Sequence, residues 1–304
     1  MNRREPSPQR AAGTFDRHRP LLFSIAYRML GSTMDAEDIV QEAYVRWQGT
    51  EEEVRSPKAY LSTIVTRLSI DRLRSAKVGR EQYVGPWLPE PLTTGEASDI
   101  AEAPVMEVSL SMAFLVLLES LTPVERAIFL LREVFDYDYA EVSRVVGKTE
   151  TNCRQIAHRT RRALAARRPR FESSEEQQER MTRLFVEVCA SGDMQSLLSL
   201  LSEDVVLYSD GGDRAVTARN PVHGPDRVAR LLLGLARKRP PGVAVRLVGI
   251  NGQPGIICYA GNLPDSVLTL EITDGRIKAV RNVRNPDKPH AVPRLSELYK
   301  TVDR

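Results

Sequence analysis

From Phe15 onward, apolar residues return at helical spacing. Phe15, Leu22, Ile25, Ala26 and Met29 share one face of a first predicted helix, which Gly31 ends. The next run, STMDAEDIVQEAYVRW, offers Ser32, Thr33 or Asp35 as N-cap. It places Glu37 and Asp38 in the first turn, where the positive end of the helix dipole favours acids. Ile39, Val40, Ala43, Tyr44 and Trp47 continue the apolar face. After the polar loop GTEEEVRS, Pro57 suits the first position of a third helix, PKAYLSTIVTRLSIDRLRS. On that helix Tyr60, Leu61, Ile64, Val65 and Leu68 fall on one side. Ser62, Thr63, Thr66, Arg67, Ser69 and Arg74 fall largely on the other, with no acid among them. A face of Ser, Thr and Arg suits phosphate and base contacts, and it equally suits plain solvation.

The periodicity breaks between about 80 and 108. That stretch carries the Pro-rich GPWLPEPLTTGE, together with Glu81, Glu90, Glu96, Asp99, Glu102 and Glu107 and no base, and it reads as an extended acidic linker. A second helical unit starts near Met106. Within it, SLTPVERAIFLLREVF has a capping box, Thr122 with Glu125, and Pro123 at the first helical position. YAEVSRVVGKTETNCRQIAHRTRRALA then has the helix–turn–helix layout, with Gly147–Lys148 at the turn. Cys153, Ile156, Ala157, Thr160, Ala163 and Leu164 form the inner arc of its second helix. Thr151, Asn152, Arg154, Gln155, His158, Arg159, Arg161 and Arg162 form the outer arc. Donors at the N-terminal end of such a helix can meet base edges, and its C-terminal arginines can reach phosphates. With Lys148, these are the candidate DNA contacts.

After Arg170 the period changes. Two helices, at about 177–190 and 194–201, lead into VVLYSD, VAVRLVGI, GIICYA, VLTLEIT and IKAVRNV, whose alternation and DGG, NGQPG and DG turns predict strands and hairpins. One more helix, GPDRVARLLLGLARK, lies between the first strands and the last four. Helices followed by a curved, mostly antiparallel sheet make an α+β unit.

Composition adds little until its distribution is considered. Net charge is +3 over 304 residues, yet Lys148, Arg154, Arg159, Arg161, Arg162, Arg167, Arg168 and Arg170 face Glu150 alone, so an anionic partner is expected locally. Cys153, Cys189 and Cys258 lie far apart without a CxxC or paired His, which argues against a zinc site or a disulfide framework. No metal and no cofactor is expected. With no signal peptide and no run of eighteen apolar residues, a soluble cytoplasmic protein without a membrane partner is expected.

Two blocks carry a family resemblance. FDRHRPLLFSIAYRMLGSTMDAEDIVQEAYVRW with SPKAYLSTIVTRLSIDRLRS resembles domain two of extracytoplasmic-function (ECF) sigma factors of the sigma-70 family. LTPVERAIFLLREVFDYDYAEVSRVVGKTETNCRQIAHRTRRAL resembles their domain four. WLPEPL, DGGDR at 210–214 and NPDKP at 285–289 are similar to signatures of the SigJ-type subgroup, which has a fused SnoaL-like domain of NTF2 fold.

The resemblance implies a multidomain chain: sigma domain two over 1–80, the linker over 81–107, domain four over 108–172, and a SnoaL-like cone over 173–304. It implies core RNA polymerase as a partner, gripped at the β′ clamp helices by Asp35, Glu37, Asp38, Gln41 and Glu42 and met again at the β flap. Promoter DNA is the second partner. Domain two would open the minus-ten element through Ser62, Thr63, Thr66, Arg67 and Arg74, with GTEEEVRS helping to capture a flipped base. Domain four would read the minus-thirty-five element, while the linker threads channels built for nucleic acid. Trp87, Leu88, Pro89, Asp210, Gly211, Gly212, Asn285, Pro286, Asp287 and Lys288 would link the C-terminal domain to the rest and regulate it in cis. The resemblance also implies an interior pocket in that domain, which would take a small ligand.

Two other readings stay open at this stage. A helix–turn–helix regulator would bind a duplex operator without core polymerase. A SnoaL-like enzyme with a DNA-binding appendage would need acid/base groups, for which Asp210, Asp213 and His223 are the candidates. The glycines between the two aspartates and the helix start after His223 favour turn formation and capping for these three.

Overall fold

A computed structural model describes residues 8–50, 54–81, 83–93, 110–166, 174–238, 241–288 and 291–298. The described chain falls into two compact units. The first takes residues up to 81 and from 117 to 166; the second takes 83–93, 110–116 and 174–298.

The first unit is helical. α1 (Pro8–Leu30) buries Leu22, Ile25, Ala26 and Met29 against α2 (Thr33–Gln48) and α3 (Pro57–Glu81). Ser32 caps α2 by accepting from the Asp35 N–H. α4 (Met112–Leu118) brings the chain back from the second unit, and α5 (Pro123–Phe129) opens on the expected capping box of Thr122 and Glu125. One π-helical turn, Leu130–Val134, follows directly. α6 (Tyr139–Val146) ends at Gly147, whose φ of +67° permits the left-handed turn into α7 (Glu150–Ala165). Ile128, Leu131, Tyr137, Val142, Val145, Cys153 and Ala157 form the core of this helix–turn–helix.

The second unit packs α8 (Glu175–Ser191), α9 (Met194–Leu200) and α10 (Pro225–Arg237) on a six-stranded sheet. Its strands are β1 (Leu201–Asp210), β2 (Val222–His223), β3 (Val243–Ile250), β4 (Gln253–Ala260), β5 (Leu263–Thr273) and β6 (Arg276–Val283), in the order β2-β1-β6-β5-β4-β3. Only β1–β6 is parallel, so the sheet is mixed, open and mostly antiparallel, and with its packed helices the unit is α+β as expected. Asn251–Gly252 and Asp274–Gly275 turn two of the hairpins with positive φ at both positions. A short helix, α11 (Leu295–Leu298), comes last. One face of the sheet and the helices share a core that includes Phe185, Leu207, Leu232, Ile256 and Val280.

The linker, read from the sequence as extended and acidic, is docked over its described part rather than free. Leu88, Pro89, Glu90, Pro91 and Leu92 are all buried in the second unit. Leu88 packs with Met112 and Val283, and the Leu92 N–H and C=O pair with the Asn251 side chain and backbone N–H. Pro-rich backbone makes few internal hydrogen bonds, so docking on a sheet satisfies groups that no helix or strand of its own would. Glu51–Glu53 of the GTEEEVRS loop and Pro289 of NPDKP lie outside the described residues.

Candidate nucleic-acid interface and connector anchor

The outer face of α7 is open. Thr149 caps the helix by accepting from the Asn152 N–H, and Lys148, Thr151, Asn152, Arg154, Gln155, His158, Arg159, Arg161 and Arg162 are all exposed. The arginines differ in their surroundings. Arg154 pairs with Glu150 at 3.0 Å and lies 4.9 Å over the Tyr139 ring. Arg159 meets Glu125 at 2.6 Å, and Arg161 meets Glu133 through two bonds of 3.0 and 2.5 Å. Burial pushes the Glu125 carboxyl upward, but the Thr122 hydroxyl and backbone N–H, together with Arg159, outweigh it and hold the carboxyl below its ordinary range. Sequence reasoning missed Glu125 and Glu133 as partners of α7, because their approach depends on how α5 and the π turn pack.

The polar face of α3 is a correction. The sequence suggested an exposed surface, yet Ser62 and Thr66 are fully buried. The Ser62 hydroxyl bonds the Tyr137 hydroxyl at 2.7 Å, and Arg67 donates to the Arg144 and Val145 carbonyls at 2.8 and 2.9 Å, at the C-terminal end of α6. Those carbonyls lack helical partners and carry the negative end of the helix dipole, which suits a guanidinium. Thr63 is half-buried and bonded to the Ala59 carbonyl, and Arg74 is exposed beside Asp71. In this packing Ser62 faces Tyr137 of the helix–turn–helix rather than solvent, and Thr66 is buried as well. Tyr137→Phe should therefore cost the first unit about 1–2 kcal/mol in urea unfolding, because it leaves the Ser62 hydroxyl buried and unpaired.

On α2, Asp38, Gln41 and Glu42 are exposed and Asp35 and Glu37 half-exposed. Asp35 accepts from Arg72, Glu37 pairs with Arg19 at 2.6 Å, and Glu42 with Arg46 at 2.9 Å. Met34 and Val45 are exposed on the same helix.

The connector is anchored in the second unit by a buried ion pair. Lys288 Nζ lies 2.6 Å from Asp210 Oδ2 and donates to the Leu88 carbonyl at 2.5 Å. It sits 4.2 Å from the Trp87 ring centroid and 5.2 Å from that of Tyr83, a cation–π cradle. Asp210 Oδ2 also accepts from the Leu88 N–H at 2.8 Å, and Oδ1 accepts from the Tyr83 hydroxyl at 2.5 Å and from the Gly212 N–H at 3.2 Å. Asn285 donates to the Tyr83 hydroxyl at 2.8 Å. Burial, and then the bond to the Asp210 carboxylate, push the Tyr83 phenol well above its ordinary range.

The glycines of DGGDR are sterically required. A Cβ at Gly211 would stand 2.5 Å from Thr217 Oγ1 and 2.7 Å from the Ala215 carbonyl, and Gly212 has φ +57° with Asn285 Nδ2 at 2.8 Å from its would-be Cβ. Pro286 and Asp287 are exposed, with Asp287 paired to Arg214 at 2.8 Å. Pro89 is buried with the rest of the connector. Tyr83 was not nominated from the sequence; it lies outside WLPEPL and follows no helical or strand period.

The acid/base candidates are not brought together. His223 is exposed and pairs with Val206, four residues before Asp210 along β1, roughly 13 Å away by strand rise. Asp213 is exposed, and Asp210 is committed to Lys288. Among the described residues, no group of three His, Cys, Asp or Glu is placed to hold a metal ion, and no helix is long and apolar enough to cross a membrane.

Two helical blocks, the second bearing a helix–turn–helix with an open basic face, have the form of a DNA-binding protein. Residues 14–78 match the Sigma-70 region 2 family model, and 111–164 match Sigma-70 region 4. The chain is 38% identical over 288 residues to the ECF RNA polymerase sigma factor SigJ of Mycobacterium tuberculosis, covering 90% of this chain and 91% of that one. It is 30% identical over 276 residues to the probable ECF sigma factor SigI of the same species, with coverage of 88% and 91%. The crystal structure of M. tuberculosis SigJ superposes with a TM-score of 0.76 at 35% identity, over 91% of this chain and 97% of that one. The chain belongs to the ECF sigma factor family, in its SigJ-type branch. It acts in transcription initiation with core RNA polymerase and promoter DNA as partners, and is not an enzyme.

Proposed function

We propose that α7 reads the minus-thirty-five element, that α2 grips the β′ clamp helices, and that domain four also meets the β flap. For α7 the supporting observation is the open row of Gln155, His158 and Arg162 on a capped helix after a left-handed Gly147 turn. Gln155 lies in the N-terminal half, where a bidentate amide can discriminate bases, and Arg162 lies toward the C-terminus, where a phosphate contact is expected. Gln155→Ala should cost about 1–3 kcal/mol at one base pair and relax preference there. Arg162→Ala should weaken binding to all sequences and flatten the salt slope by about one unit. Titrations of duplex variants over a range of salt read both; identical behaviour of the two variants would contradict the division. On α3, the burial of Ser62 and Thr66 narrows domain two's proposed DNA contacts in this arrangement to Thr63, Arg67 and Arg74; a contact by Ser62 needs α3 to part from Tyr137.

Regulation in cis is proposed to act through the connector. The carrying observation is the Lys288–Asp210 pair closed over Leu88 and Trp87. Among the described residues the chain leaves the first unit after Glu81 and re-enters it at Leu117, and the described connector between these points is built into the second unit. A segment held on that sheet is not free to thread a polymerase channel at the same time, so the anchor restrains holoenzyme assembly. Hydrogen exchange tests this. The Leu88 and Leu92 amides should be protected in the free chain and lose protection when core polymerase is added; unchanged protection in the holoenzyme would contradict the restraint.

A further inference from the structure

The two arginines that flank the outer face of α7 are each held by an acid of the surrounding scaffold. Arg159 and Arg161 are two residues apart and so project about 200° apart around the helix. One leans toward Glu125 at the start of α5, the other toward Glu133 in the π turn. Arg162 stands on the outer face between those two directions, and no salt bridge is recorded for it among the described residues.

The acids are the fixed members of these pairs. The Glu125 side chain is 21% exposed and that of Glu133 24%, against 71% and 52% for Arg159 and Arg161. Glu125 divides its oxygens: Oε2 accepts from the Thr122 N–H and hydroxyl at 3.1 and 2.8 Å, while Oε1 is left to Arg159 at 2.6 Å. Glu133 holds Arg161 in the two-bond geometry that a guanidinium offers to a carboxylate or a phosphate alike.

A helix lying in a major groove has a phosphate backbone on either side, so the flanking arginines are those that face phosphates, and the central positions face bases. We propose that Glu125 and Glu133 are specificity determinants of promoter recognition: they occupy the phosphate-facing arginines in the free chain and so lower its affinity for DNA of arbitrary sequence. This rests on α7 being the duplex-reading helix. Phosphate contacts carry sequence-independent affinity, so restraining them leaves the central, base-facing residues and the polymerase to decide where the protein binds.

The test uses the full chain with a random-sequence duplex and a titration over salt. Glu125→Gln keeps the capping box, since glutamine serves at that position as glutamate does, and Glu133→Gln preserves shape. The double variant should bind the random duplex several-fold more tightly at low salt. Gaining two phosphate contacts, it should also lose about tenfold more affinity than the wild type between 50 and 200 mM salt. A wild-type salt slope in the double variant would overturn the proposal. Arg162→Ala separates this from a failure of the underlying reading. If Arg162→Ala weakens binding while the glutamine variants change nothing, α7 still reads DNA and only the acid restraint is wrong. If Arg162→Ala also changes nothing, both fall, because α7 is then not the contact.

Discussion

Replacing Asp210 with alanine should cost the C-terminal unit about 3–5 kcal/mol, the usual penalty for breaking a buried ion pair from one side. Asp210 is fully buried and Lys288 nearly so, and without the carboxylate the ammonium loses its paired charge while the Leu88 carbonyl and the faces of Trp87 and Tyr83 remain. The Tyr83 hydroxyl and the Leu88 N–H lose their acceptor in the same step. Urea unfolding measures the loss. The chain has two tryptophans, so a Trp47→Phe background leaves Trp87 as a reporter seated on the anchor itself. Lys288→Met should cost less, because Asp210 retains three donors and methionine fills the aromatic cradle. Combining the two changes should cost less than their sum, since the double variant has no uncompensated charge. A change at Asp210 below about 1 kcal/mol would mean that the pair is open to water in solution.

The second large effect is expected in the first unit, at Arg126. Its guanidinium is buried and donates to the Met29 carbonyl at 2.7 Å and to Glu119 at 2.8 Å, tying the α5 block to the end of α1. Arg126→Met keeps the apolar stem volume and removes both bonds. It should cost about 2–4 kcal/mol, less than at Asp210 because Glu119 keeps partial access to water. Arg28, next to Met29 in the chain and buried over the Phe135 ring, behaves differently: burial lowers its pKa to about 10. A folded-state pKa below the unfolded value means that folding disfavours the Arg28 charge. Its contribution is therefore destabilising at neutral pH and relaxes only as pH rises through about 10. Thermal unfolding of Arg126→Met at pH 7 should show its loss in the transition of the helical unit, with the second unit unchanged.

The elements were legible where one local rule decides them. Thr122, Pro123 and Glu125 announced the start of α5, Gly147 its neighbour's end, and Asn251–Gly252 and Asp274–Gly275 their hairpins, because caps and turns are written within four residues of sequence. VAVRLVGI is β3 to the residue. The outer face of α7 followed from its wheel, with Ala163 the small exception: placed on the inner arc, it is exposed. What the sequence could not give is what packs across long separations. The α3 face looks solvated because Ser, Thr and Arg are polar, yet Tyr137, 75 residues on, supplies a hydroxyl that lets Ser62 be buried without loss. WLPEPL looks like a tether because prolines and acids favour exposed chain, yet Asn251, Asp210 and Lys288 take its backbone groups. Resemblance named the motifs that meet at the anchor; it did not supply Tyr83, or the ion pair that closes over Leu88.

Run-off transcription with core RNA polymerase, on a promoter selected in vitro, tests the central claim most directly, comparing the wild-type chain with Lys288→Met. The variant is chosen because it removes the ion pair and the Lys288–Leu88 bond, and so loosens the anchor, while leaving α2 and α7 untouched. The account predicts specific product from both proteins and several-fold more from Lys288→Met, whose connector is held less tightly. Equal or lower yield from a folded Lys288→Met protein would contradict restraint through the connector, and absence of specific product from both would contradict the sigma-factor account itself.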